Sequence, residues 1–126
     1  MSRRTPLAKV RGLGSARGGT HHFWMQRVTA VANIALVCFL IGLVLALAGA
    51  DHATVKRSLA RPEIAIPLLL LVLSGVVHMR LGMQTIIEDY VHSEGRKVAA
   101  LMLNSFFAIL VGITCVFAVL KLSFGA

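Results

Sequence analysis

Acidic residues are scarce in this chain of 126 residues: 5 Asp and Glu stand against 13 Lys and Arg, for a formal net charge of +8. None lies in the first 50 residues. Charge of either sign is thin, at 14% of the sequence, which excludes an ordinary soluble domain when 57% is hydrophobic and the mean hydropathy is +0.81. There are only 2 cysteines, Cys38 and Cys115, both inside apolar runs and without metal-ligand spacing. They read as small buried hydrophobes and say nothing about redox compartment. Internal repeats and low-complexity segments are absent, and the length allows one domain. The composition is that of an integral membrane protein.

The basic excess is concentrated at the start, where Arg3, Arg4, Lys9, Arg11, Arg17 and Arg27 form an acid-free arm over residues 1–27. With no folded basic surface beside it, the arm points away from nucleic acid. A cluster before a membrane span instead fits the positive-inside rule, and it suits anionic headgroups or an acidic protein partner. The leader "MSRRTPLAKVRGLGSARGG" has the Arg-rich, acid-free composition of a mitochondrial presequence but shows no amphipathic face. It lacks the apolar core of a secretory signal.

Three spans are expected, over about 28–50, 64–88 and 98–120, within an anchor domain over 28–122. The first and third carry no charge, and each is long enough to cross the hydrocarbon core. The second is interrupted by His78 and Arg80. Pro67 falls in its first turn, where a missing N–H costs least. Short connections at 51–63 and 88–97 predict an all-α, up-down-up arrangement. With the N-terminus inside, the inner side collects Arg3, Arg4, Lys9, Arg11, Arg17, Arg27, Arg96 and Lys97, and the outer side only Lys56, Arg57, Arg61 and Lys121. That balance favours N-terminus in, C-terminus out. Three helices enclose little on their own, and Ala32, Gly42, Ala46, Gly75 and Gly112 can admit other helices closely, so partner subunits in the membrane are expected.

His78 lies about 21 Å along the second span, in the middle third of the bilayer. An ionisable group there faces a partner helix or a cofactor rather than lipid. Two readings are open: an axial ligand of haem iron, or a histidine hydrogen-bonded to a neighbouring helix. His78, Gly82, Thr85 and Asp89 follow i, i+4, i+7, i+11 and share one stripe, with Gly82 leaving space one turn from the histidine. Arg80 is rotated roughly 200° from His78 and is expected to snorkel inward or meet a partner subunit. Asp89 and Tyr90 come at the inner end. Tyr90 is either an aromatic-belt residue or a hydrogen-bond donor to a quinone carbonyl, with Asp89 tuning the field. Before the first span, "THHFWMQRV" supplies His21, His22 and Arg27 at headgroup depth. They are either ordinary flanking residues, with Phe23 and Trp24 as anchors, or partners for anionic haem propionates. Asp51, His52 and Glu63 are assigned no chemistry.

"HHFWMQRVTAV" together with "HMRLGMQTIIEDYV" resembles the hydrophobic membrane anchor subunits of succinate dehydrogenase, respiratory complex II, and the basic leader with "RGLGSARGGTHHFW" most resembles their alphaproteobacterial branch. The likeness extends over about the whole chain, through H-x-F-x3-R and H-x3-G-M-x5-D-Y. It implies that His78 is one axial ligand of a b-type haem whose other ligand comes from a cytochrome b subunit. His21 and Arg27 would lie near the propionates, and Asp89 and Tyr90 would form part of the ubiquinone site. It further implies a heterotetramer with cytochrome, iron–sulfur and flavoprotein subunits, leaving its trimerisation open, in a bacterial inner membrane rather than a mitochondrial one. Succinate oxidation would lie in other subunits, since nothing here supplies flavin chemistry. His22 and Arg80 take no role from the resemblance. The alternatives are the anchor of a related complex such as fumarate reductase, or a haem-free structural or transport protein.

Overall fold

The computed structural model describes residues 5–7 and 18–124. The arm's Arg3, Arg4, Lys9, Arg11 and Arg17 lie outside the described residues. Helix α1 runs Gly19–Leu47, α2 His52–Leu59, α3 Pro62–Tyr90 and α4 Glu94–Phe124; there is no strand among the described residues.

The three long helices have 29, 29 and 31 residues and are each apolar enough to cross a membrane. At a rise of about 1.5 Å per residue they exceed the ~30 Å hydrocarbon core, so their ends project into the headgroup zone. This accounts for the difference from the expected bounds. Hydropathy marks the stretch that tolerates no water, whereas backbone hydrogen bonding continues past it. Residues 20–27 accordingly belong to the opening turns of α1. Helix α3 starts at Pro62, which occupies the first turn. Pro67 therefore lies one turn further in than expected, and its missing N–H leaves the Glu63 carbonyl without that intrahelical donor.

Helix α1 stops where Gly49 adopts φ +81°, a left-handed conformation that side chains with a Cβ resist. The Ala50 N–H returns to the Leu47 carbonyl at 3.1 Å. The connection then forms α2, with Asp51 extended at its N-cap and Lys56 and Arg57 in its last turn, favourably placed for the helix dipole.

Helix α3 is central. It packs against both α1 and α4, which scarcely touch each other, while α2 lies against α3 and α4. Gly112 lies against Val76 of α3, where an added Cβ would make ordinary contact with Cγ1 at 3.5 Å, whereas one at Gly42 or Gly75 would meet nothing within 4 Å. Asn104 Nδ2 donates to the Arg80 carbonyl at 2.9 Å. The pairs 76–112 and 80–104 run in opposite senses, so α3 and α4 are antiparallel. Thr29 and His78 meet 18 residues before the end of α1 and 16 after the start of α3, similar heights from their connection, which makes that pair antiparallel too.

Only Thr29, Ala65, Ile87 and Ala108 are buried among the described residues. Large apolar side chains such as Ile34, Leu45, Phe106 and Ile113 face outward. In water this surface would be untenable; against lipid tails or other apolar helices it costs nothing.

Candidate functional site

The seam between α1 and α3 holds the polar chemistry. Thr29 is the one buried polar residue among those described, 6% exposed. Its hydroxyl donates back to the Met25 carbonyl at 2.7 Å, with the Gln26 carbonyl also in reach at 3.2 Å. His78 Nδ1 lies 3.2 Å from the same oxygen. Four residues earlier on α3, Ser74 Oγ donates to the Thr29 carbonyl at 3.3 Å. Thus one residue of α1 is held at its side chain and its backbone by two α3 groups one helical turn apart.

Beside this contact His78 borders a recess of about 260 Å³ with Phe23, Gln26, Arg27 and Ala30. The Arg27 guanidinium lies over the Phe23 ring, 5.2 Å from its centroid. Phe23 meets Trp24 edge-on at 6.3 Å, and both rings are more than half exposed. The structure therefore brings together two of the expected groups, His78 and Arg27. His21 is exposed on α1 and does not line this recess. Open space surrounds Gly82, one turn from His78.

Asp89 and Tyr90 are exposed at the end of α3, with Tyr90 at 77%. The phenol borders a second recess, of about 320 Å³, with Val91, His92, Arg96 and Ala100. Nothing in the order of residues marks His92 and Arg96 as neighbours of Tyr90. They come from the connection and from the first turn of α4, and only the chain reversal places them there. Tyr90 is 12 residues from His78, ~18 Å along the helix and about 120° around it, so the two recesses face different directions.

Arg80 is exposed on the α4 side of α3, away from α1, in agreement with its rotation from His78. It edges a groove of about 500 Å³, otherwise lined by apolar residues such as Leu73, Val77, Ala108 and Val116. With no other polar group converging there, this groove suits a hydrocarbon chain or helix rather than reacting atoms. On α1, His22, Thr29 and Asn33 form a polar stripe at i, i+7, i+11. His22 Nε2 and Asn33 Oδ1 are enclosed without a hydrogen-bond partner among the described residues. That stripe is the sequence signal by which Thr29 could have been found. No group of three or more His, Cys, Asp or Glu converges among the described residues, so any metal bound here draws further ligands from elsewhere.

A family model described as the succinate dehydrogenase/fumarate reductase transmembrane subunit matches residues 1–114. The chain belongs to this family. It is 33% identical over 116 residues to the succinate dehydrogenase hydrophobic membrane anchor subunit of Rickettsia bellii, covering 92% of this chain and 93% of that one. It is 33% identical over 122 residues to the subunit of the same name from Paracoccus denitrificans, covering 97% and 94%. A succinate dehydrogenase membrane anchor subunit of Reclinomonas americana is 28% identical over 96 residues, covering 74% and 80%. No solved structure matches significantly. The anchor-subunit relatives are mostly alphaproteobacterial, the branch that the basic leader and "RGLGSARGGTHHFW" resemble. Membership assigns the chain a place in a membrane-bound respiratory complex with partner subunits.

Proposed function

We propose that the chain is the membrane anchor of a succinate:ubiquinone oxidoreductase, supplying one axial ligand to a b-type haem and part of the ubiquinone-reduction site. The observation that carries the reading is His78. It is the ionisable side chain at mid-span on the α1 face, its Nδ1 is engaged by Thr29, and its Nε2 makes no hydrogen bond among the described residues. A single imidazole nitrogen, the Arg27 cation at the same recess and the open space at Gly82 suit a haem edge and its propionates. When bound, the haem supplies a one-electron store close to the quinone. His78 would hold it from this chain, with a further ligand from a cytochrome b subunit. Arg27 and, nearer the headgroups, His21 would meet its carboxylates.

At the inner interface, Tyr90 O–H would donate to a ubiquinone carbonyl, with Asp89 setting the local potential. Reduction of the quinone takes two electrons from the iron–sulfur subunit and two protons from the inner aqueous side. The exposure of Tyr90 leaves room for the iron–sulfur and cytochrome subunits to close the pocket. In this reading the N-terminus is inside the bacterial inner membrane, and the flavoprotein and iron–sulfur pair dock on that face.

The test is His78→Ala in the purified complex. The dithionite-reduced b-haem α-band is expected to be lost or displaced, and an unchanged spectrum would refute the ligand assignment. Because the family description spans fumarate reductase, the direction of turnover is tested separately, by comparing succinate oxidation with quinol-driven fumarate reduction.

A further inference from the structure

Building on the reading of His78 as a haem ligand, we infer that Thr29 is the positioning residue that fixes the histidine's tautomer and ring plane. A neutral imidazole carries one N–H, and only the other nitrogen has a lone pair for iron. Which nitrogen carries the proton is set by the hydrogen bond at the non-ligating side. Here that bond is between Nδ1 and Thr29 Oγ1, and its direction follows from the hydroxyl's other neighbours. Thr29 has one O–H. The Met25 carbonyl at 2.7 Å is closer than Nδ1 at 3.2 Å. Two oxygens at that distance repel unless a proton lies between them, so the hydroxyl donates to Met25. Its lone pair then faces the imidazole and accepts from Nδ1–H. The proton is held at Nδ1, and Nε2 is left with the lone pair that ligation requires.

The surroundings make the arrangement rigid. Thr29 is buried, its χ1 is restricted by β-branching, and Ser74 grips its carbonyl one turn from His78. No other described side chain bonds to Nδ1. A hydroxyl that accepts from Nδ1–H raises the basicity of Nε2 and thereby favours the oxidised, more positively charged iron.

Thr29→Val, Thr29→Ser and Thr29→Ala are compared in the purified complex by haem content, reduced spectrum and haem midpoint potential. Val keeps the shape and removes the oxygen; Ser keeps the oxygen and removes a methyl. The potential is expected to rise in Val and Ala while Ser stays with the wild type, and haem affinity is expected to fall about 10–100-fold in Val. Ser74→Ala controls for loosening of the α1–α3 seam, since it removes an interhelical bond without touching Nδ1. An unchanged potential and haem content in Val would overturn the inference. So would a Ser variant that shifts with Val, or a Ser74→Ala shift equal to that of Val, because packing would then explain the effect. If Val fails to assemble, the Ala and Ser pair decides by the same criterion. A wild-type complex with no haem band would instead remove the reading of His78 itself.

Discussion

His78 illustrates how one side chain can be costly for folding and still be retained. An imidazole in hydrocarbon needs a partner, and Thr29 provides it without adding charge to the seam. Tyr90 is the contrasting case, since it is largely exposed and its phenol makes no hydrogen bond among the described residues. Replacing it with Phe removes one hydroxyl and preserves the ring. Tyr90→Phe is expected to lower ubiquinone reductase activity of the complex by about tenfold, the value of one ~1.4 kcal/mol hydrogen bond to substrate. Succinate oxidation with an artificial acceptor should be unaffected. Equal ubiquinone rates would remove Tyr90 from the quinone site. Arg80, meanwhile, finds its place by geometry: it is turned to the α4 face, where its backbone carbonyl, not its guanidinium, ties the helices together.

The helices owe their limits to different causes. Helix α1 ends at a backbone conformation, α3 begins at a proline that needs no donor, and α2 forms within a stretch that reads from sequence as a plain connection. The eight residues of α2 carry too short a pattern to be distinguished from a loop, and a helix so short depends on resting against α3 and α4. Gly49 offers the sharper test. Gly49→Ala forces a Cβ into the left-handed region at an expected cost of roughly 1–2 kcal/mol. Thermal unfolding of the purified complex should shift to lower temperature, and an unchanged midpoint would mean that the turn relaxes to another conformation. The bounds of α1, α3 and α4 were legible to within a few turns, because an uncharged run of the required length has few alternatives in a bilayer. Their headgroup-zone extensions were not, because polar residues there are compatible with either helix or loop.

As a whole the chain is a row of helices centred on α3, with outward apolar surface on every long helix. It has one recess beside His78 and another beside Tyr90, at different heights along α3. The proposed orientation, with the N-terminus inside, rests on the charge asymmetry around the spans. A phosphatase reporter fused after Phe124 is expected to be active outside the inner membrane, and one placed between α3 and α4 at His92 to be inactive. The opposite pattern would reverse the proposed topology and move the quinone recess to the outer face.

From the order of residues come the three spans, the depth of His78, and the separation of Tyr90 from it along one helix. These follow because hydrocarbon demands long uncharged runs and an α-helix advances by a fixed rise. The order of residues does not reveal that α3 lies between the other two, that Thr29 is the neighbour of His78, or that His92 and Arg96 gather around Tyr90. Each of these depends on how a helix is rotated about its own axis and on which faces meet. A single threonine in an apolar run carries no mark of its partner 49 residues away until two helices are pressed together.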